Sequence, residues 1–148
     1  MYKKISTIKR AYLAGFLDGD GSIYVRLKPS REYRYGFQIA PYIILFQSKK
    51  EEKNFKKICL EIGCGYMRER KDGILEYTIN KKEDIRNFLS QIAKYLVLKR
   101  RQSDLMLKIL EAKEKVKNKN DFKSLMDLIE KFRELNYSKK RKIHNLTP

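Results

Sequence analysis

Residues 13–21 read Leu13-Ala-Gly-Phe-Leu-Asp18-Gly-Asp20-Gly21, and the placing of small residues in and just before this stretch decides the fold. From Lys9 onward, Ala11, Leu13, Ala14, Phe16 and Leu17 are apolar most of the way round a 3.6-residue turn, which suits a helix buried on more than one side. Ala11, Gly15 and Gly19 recur every four positions and make one flat stripe, along which another backbone can approach closely. Glycine in a helix interior costs about 1 kcal/mol relative to alanine, so Gly15 and Gly19 need a packing reason. The Gly-Asp-Gly exit turns the chain and points Asp20 beyond the helix end. Two such helices side by side bring two Asp20 carboxylates together. Like charges resist that unless divalent cations occupy the site, and hard oxygen donors suit Mg²⁺. Paired metals there can activate water and stabilise the leaving oxygen of a phosphodiester. Spacing alone is met equally well by internal helix packing, with Asp18 and Asp20 as surface or capping carboxylates.

The next element tips the balance. After Gly21 the period changes to two: Ser22, Tyr24, Arg26 and Lys28 alternate with Ile23, Val25 and Leu27, giving a half-buried strand with a basic face. Residues 29–36 (PSREYRYG) form a turn into a second apolar run, residues 37–47, so a long β-hairpin is predicted. Pro41 in that run lacks an N–H and predicts an edge position or a bulge. Ser48-Lys-Lys-Glu51 has the form of a capping box, and Phe55, Ile58, Cys59 and Ile62 follow at helical spacing up to Gly63. Residues 65–70 alternate again, and Asp72-Gly73 supplies a tight turn into residues 74–80, a second hairpin. Asn80 and Glu83 are spaced to cap a third helix with a core face of Ile85, Phe88, Leu89, Ile92 and Leu96. Two more helices are predicted at about residues 101–116 and 121–135, with residues 113–120 (KEKVKNKN) as a frayed end or loop. The order α-β-β-α-β-β-α with helices appended is an α+β fold, a single domain over residues 1–136 with a basic tail, residues 137–148.

With 35 Lys and Arg against 18 Asp and Glu, the formal charge is +17, an excess that draws a polyanion from a distance. No apolar run approaches the roughly 20 residues of a membrane-spanning helix, and the cations do not gather on one amphipathic helix. Nucleic acid is therefore the expected partner, with neither membrane nor small-molecule substrate. Residues 1–10 hold no apolar stretch before a cleavage-like site, so an intracellular protein is expected. Cys59 and Cys64 lack C-x-x-C spacing and sit among apolar residues, as buried free thiols do. The only histidine is His144, in the tail, which removes histidine triads and His-based metal clusters.

Taken together, these residues resemble the LAGLIDADG homing endonuclease family. Residues 13–21 are similar to its eponymous motif, and the element order is similar to its core over nearly the whole chain, nearest to the single-motif, dimeric, intron-encoded members. Ile62-Gly63-x-Gly65-Tyr66, Asn87-Phe88-Leu89, Leu98-Lys99, Leu107-Lys108-Ile109 and Ser138-Lys139 through Lys142 also resemble those members. The resemblance implies an antiparallel β-saddle in the major groove of double-stranded DNA and a homodimer whose interface is the motif helix, here Ala11, Ala14, Gly15, Asp18 and Gly19. It implies a divalent metal, Mg²⁺ with Mn²⁺ or Ca²⁺ as occupants in vitro, held by Asp20 with help from the Gly19 carbonyl. It adds Gln47 as an organiser of solvent and Lys99 as a cation near the scissile phosphate, completing a catalytic set of Asp20, Gln47 and Lys99. Without the resemblance, Gln47 is a polar strand end and Lys99 one cation of many. The family's second active-site cation falls opposite Glu51, where Lys49, Lys50 or Lys53 are the substitutes to hand. The implied activity is a double-strand break in a long, partly palindromic site. A cleavage-inactive binder of the same fold, an RNA splicing factor or a DNA-binding regulator, would be marked by loss of the motif acid, and Asp20 is present.

Reading of sequence falls to the alternating polar positions Tyr24, Arg26, Lys28, Gln38, Tyr42, Tyr66, Arg68 and Arg70, because Arg contacts guanine bidentately and Gln adenine. No acid stands among them. Arg31, Arg34, Lys139, Lys140, Arg141 and Lys142 are expected on phosphates, setting affinity and register.

Overall fold

The computed structural model describes residues 2–136. Helix α1 (Thr7–Asp20) buries Leu13, Ala14 and Leu17 and gives way directly to β1 (Gly21–Pro29). A Cβ at Gly21 would lie 2.6 Å from Leu17 Cδ1 and 3.0 Å from the Leu17 backbone, so only glycine lets the strand turn back against the helix it has just left. Strand β2 (Phe37–Ser48) completes the first hairpin, closed by Ser30 N donating to the Gly36 carbonyl at 2.9 Å. A 3-10 turn (Lys49–Glu51) leads into α2 (Glu52–Leu60), followed by β3 (Tyr66–Glu69), β4 (Ile74–Ile79) and α3 (Lys82–Ile92). A second 3-10 turn (Ala93–Tyr95) precedes α4 (Arg100–Glu114) and α5 (Lys119–Leu135). The expected α-β-β-α-β-β-α order with appended helices is the observed one, an α+β fold.

The four strands form one antiparallel sheet in the order β1-β2-β4-β3. Period-two alternation gives the sheet one apolar face, where Ile23, Val25, Leu27, Ile39, Ile43, Leu45, Leu75, Tyr77 and Ile79 meet the buried stripes of all five helices in one cluster. Ile85, Phe88, Leu89 and Ile92 of α3 are fully buried, as their spacing predicts. Among the described residues, no helix packs across the opposite face, and only the C-terminal end of α5 reaches its margin.

Two local expectations are corrected, at Asn80 and at Ser48, and two hold. The edge expected at Pro41 is met locally: Pro41 pairs with Val25 in continuous register, and β2 meets β4 only from Ile43 onward, so the missing N–H breaks no bond on that side. Asn80 does not cap α3, whose N-cap is Lys81 without a side-chain bond. Ser48 Oγ accepts from Lys50 N (3.2 Å), but Glu51 pairs with Asn54 Nδ2 (3.1 Å), so the capping box is half made. The helix end or loop expected over residues 113–120 is there: α4 runs to Glu114, residues 115–118 leave the helix, and the Asn118 side chain accepts from Asp121 N (2.8 Å), capping α5. Half-buried Lys113 donates to the Ile39 carbonyl at 3.0 Å, and burial pulls its amine below the ordinary lysine range.

Cys59 and Cys64 are free thiols, pushed up to about 12 and about 11 respectively, mainly by burial. Among the described residues, no helix is long and apolar enough to cross a membrane. Lys139, Lys140, Arg141 and Lys142 lie outside the described residues.

Candidate active site and nucleic-acid interface

Helix α1 ends on Asp20, exposed beside an exposed Gly19, with no basic residue in its last turn. The unpaired carbonyls of a helix C-terminus carry partial negative charge, and a carboxylate there deepens it, so this end attracts cations. One cation of the chain is already placed: Lys99 Nζ donates to the Asp18 carbonyl at 2.7 Å. Gln47 approaches from the sheet. The β1–β2 ladder starts at Gly21 opposite Leu45, so Gln47, two residues on and on the same side as Leu45, runs past the joint between α1 and β1. Its Oε1 accepts from Ser48 N at 2.8 Å. Lys99 is thus fixed to the last turn of α1, the turn that ends on Asp20, with Gln47 beside the joint by register. Of the substitutes for a second cation, Lys49 is paired with Glu69 at 3.0 Å, which raises its amine above the ordinary range, whereas Lys50 and Lys53 are exposed.

The donors available for a metal are all oxygens: the Asp20 carboxylate and the carbonyls of the last turn, Gly19 among them. That set fits a hard divalent cation. Among the described residues there is no group of three or more His, Cys, Asp or Glu that could enclose an ion, so further oxygen ligands would have to come from outside the chain.

Along α1, Ala11, Gly15 and Gly19 are exposed, and a Cβ at Gly15 or Gly19 would meet nothing within 4 Å. Among the described residues, these glycines have no packing partner. Ile8 (84% exposed) and Tyr12 (57%) share that open side. Two residues expected on this interface are placed otherwise. Ala14 is wholly buried in the chain's own core, because it lies on the face of α1 turned to the sheet. Asp18 turns toward the segment before α4: its Oδ2 accepts from Val97 N (2.8 Å) and Leu98 N (3.2 Å), and its Oδ1 from Lys99 N (3.0 Å).

On the helix-free face of the sheet, the register aligns all eight predicted reading residues. Tyr24 stands opposite Tyr42, their rings stacked with centroids 5.0 Å apart, and Lys28 stands opposite Gln38. Arg26 faces Ala40; Tyr66 and Arg68 face Thr78 and Glu76; and Arg70 continues the alternation. Burial and the neighbouring Tyr42 raise the Tyr24 phenol above its ordinary range, so it stays neutral and can both donate and accept. Arg31 and Arg34 are exposed in the β1–β2 hairpin, which is held from behind by Tyr35 stacked on Phe122 of α5 at 4.8 Å.

The expectation that this face has no acid is corrected. Glu76 lies on it, and its Oε1 accepts from Arg68 Nη2 (2.7 Å) and Nε (3.2 Å). Arg70 likewise pairs with Asp72 at 2.6 Å. Ser22 belongs to the face, as its alternation predicts; Ile44, Phe46, Glu76 and Thr78 also belong to it and were missed, although extending the alternation of the reading residues across the hairpins would have found them. Ser22, Tyr24, Arg26, Phe46, Arg70 and Glu76 help to line a cleft of about 570 Å³ that reaches the C-terminal end of α5.

Comparison with known proteins agrees with this arrangement. The family described as LAGLIDADG endonuclease matches residues 13–110. The chain is 36% identical over 132 residues to DNA endonuclease I-CreI of Chlamydomonas reinhardtii, covering 88% of this chain and 80% of that protein. It is 33% identical over 139 residues to DNA endonuclease I-CvuI of Chlorella vulgaris, covering 92% and 84%. The crystal structure of I-CvuI with its target and calcium superposes with a TM-score of 0.83 at 30% identity, covering 91% of this chain and 86% of that one. An archaeal intron-encoded homing endonuclease, I-Vdi141I, solved with DNA, shares the fold at 22% identity and a TM-score of 0.78, covering 89% and 86%. The motif helix with its exposed acid, the sheet with one open basic face and these matches lead to one statement: the chain belongs to the LAGLIDADG endonuclease family.

Proposed function

We propose that this chain is a homing endonuclease that makes a site-specific double-strand break in a long, partly palindromic DNA target by hydrolysing one phosphodiester on each strand. The observation that carries the reading is that Lys99 Nζ is held on the Asp18 carbonyl in the last turn of α1, the turn that ends on exposed Asp20, two residues before Ser22 opens the basic face of the sheet. Chemistry and groove-reading are thus joined by a single backbone turn.

In this reading two copies pair along the stripe of Ala11, Gly15 and Gly19, so that each contributes one Asp20 and the two-fold axis matches a near-palindromic duplex. The four strands of each copy form a saddle in the major groove. Asp20 and the Gly19 carbonyl hold a divalent cation; I-CvuI has been solved with DNA in the presence of magnesium, with the DNA uncleaved, and of calcium. We assign Mg²⁺ as the working ion, which when bound supplies Lewis acidity at the phosphate and lowers the pKa of water. Lys99 places a fixed positive charge where negative charge builds on the phosphate oxygens. Gln47 offers an amide that can both donate and accept, and so orients water beside the phosphate. Residues 1–136 make the working unit, and the basic tail, residues 137–148, adds contacts to phosphates.

Asp20→Asn tests the reading. It weakens metal ligation and leaves the protein–DNA surface almost unchanged, so cleavage should be lost while site affinity stays within about tenfold. Undiminished cleavage would remove Asp20 from the mechanism.

A further inference from the structure

Asp18 is the motif's other acid, and its surroundings give it a specific task. Its two carboxylate oxygens accept from three consecutive backbone N–H groups, those of Val97, Leu98 and Lys99. These lie at the entrance to α4, whose N-cap is Lys99. Helix α4 has no side-chain cap of its own and no acid in its first turn, which instead begins Arg100-Arg101. Unpaired N–H groups and the positive end of a helix dipole call for an anion, and here the anion comes from α1, some 80 residues earlier in the chain. The tie also runs the other way. Lys99 Nζ donates to the Asp18 carbonyl at 2.7 Å, at the negative end of α1. Asp18 and Lys99 are therefore linked twice, backbone N–H to carboxylate and ammonium to backbone carbonyl, and the two helix ends they join have opposite partial charges.

We propose that Asp18 is a positioning residue for the cleavage reaction: it anchors the backbone of Lys99, and so fixes the Lys99 ammonium beside the Asp20 end of α1 before DNA arrives. A lysine on a free loop would have many rotamers to lose when the phosphate binds; one tethered at both its amide and its amine has already lost most of them. The inference rests on the proposed role of Lys99, and its test separates the two.

The test is a double-mutant cycle on the first-turnover cleavage rate at saturating protein, using wild type, Asp18→Asn, Lys99→Met and the double variant, with site affinity and melting temperature measured alongside. Asparagine has one acceptor oxygen and turns an NH₂ group toward N–H donors, so part of the anchor is lost with little change in volume. Asp18→Asn should slow cleavage about tenfold in the wild-type background with affinity nearly unchanged, and should have less than about a twofold effect when Lys99 is already methionine. An equal slowing in both backgrounds would mean that Asp18 merely supports the fold. A wild-type rate for Asp18→Asn would also overturn the proposal. Full cleavage by Lys99→Met would instead dismiss the role of Lys99, and the anchor with it, while leaving the Asp20 assignment to its own variant. Should Asp18→Asn fail to fold, Asp18→Glu, which keeps both acceptor oxygens at a displaced position, serves in the same cycle with the same expectations.

Discussion

Arg68 and Glu76 show what a single residue can and cannot reveal. Arg68 was legible as a residue of the open face because alternation along one strand is local: Tyr66, Arg68 and Arg70 point the same way whatever the partner strand does. The side of its strand on which Glu76 lies follows from alternation too, but its place opposite Arg68 depends on the β3–β4 register and was not legible. The same limit hid the work of Asp18, whose hydrogen-bond partners lie 79 to 81 residues away. In the folded chain Glu76 holds the Arg68 fork ready. Losing a good bidentate contact costs about 1–3 kcal/mol of discrimination, so Arg68→Ala should relax preference at one base pair of each half-site. Glu76→Ala releases the fork and should blur preference at that same base pair. Binding-site selection on both variants checks this; changes at two unrelated positions would separate the pair.

Helix α1 was the most legible of the elements, since its glycine stripe and its buried face both follow from spacing. Ala14, which the resemblance put on the dimer interface, is completely buried on the core-facing side of the helix. The stripe yields a prediction in two parts. A side chain at Gly15 meets nothing within 4 Å in the single chain, and glycine in a helix interior costs about 1 kcal/mol relative to alanine. Gly15→Leu should therefore leave the melting temperature of the subunit unchanged or raised, yet push paired helices apart. Sedimentation should show monomers that bind DNA weakly and do not cut it. A cutting-competent monomer would overturn the arrangement. The hairpin and α5 make a second pair of elements. Neither helical nor strand periodicity could announce that Tyr35 packs on Phe122, because the contact joins a turn to a helix 87 positions on. Phe122→Ala should lower stability by more than the roughly 0.5–1.5 kcal/mol that an aromatic pair adds beyond its area burial, because Phe122 also packs against the core. It should also weaken binding to all sequences alike by loosening the hairpin that carries Arg31 and Arg34.

Over the whole molecule, the +17 charge announces a polyanion and the open sheet face gives it a seat, but charge alone says nothing of cutting. Each neutralised phosphate contributes about one unit to the slope of log affinity against log salt, so replacing Lys139 by alanine should lower the slope by roughly one with the preferred sequence unchanged. The central claim is that two copies each bring one Asp20 to one strand. The most direct test mixes wild-type subunits with Asp20→Asn subunits, isolates the mixed dimer by two affinity tags, and supplies Mg²⁺ with a supercoiled plasmid carrying a site selected from random duplexes. The account predicts linear plasmid from the wild-type dimer, nicked circles that accumulate without becoming linear from the mixed dimer, and intact plasmid from the doubly substituted dimer. Linear plasmid from the mixed dimer at the wild-type rate would contradict it.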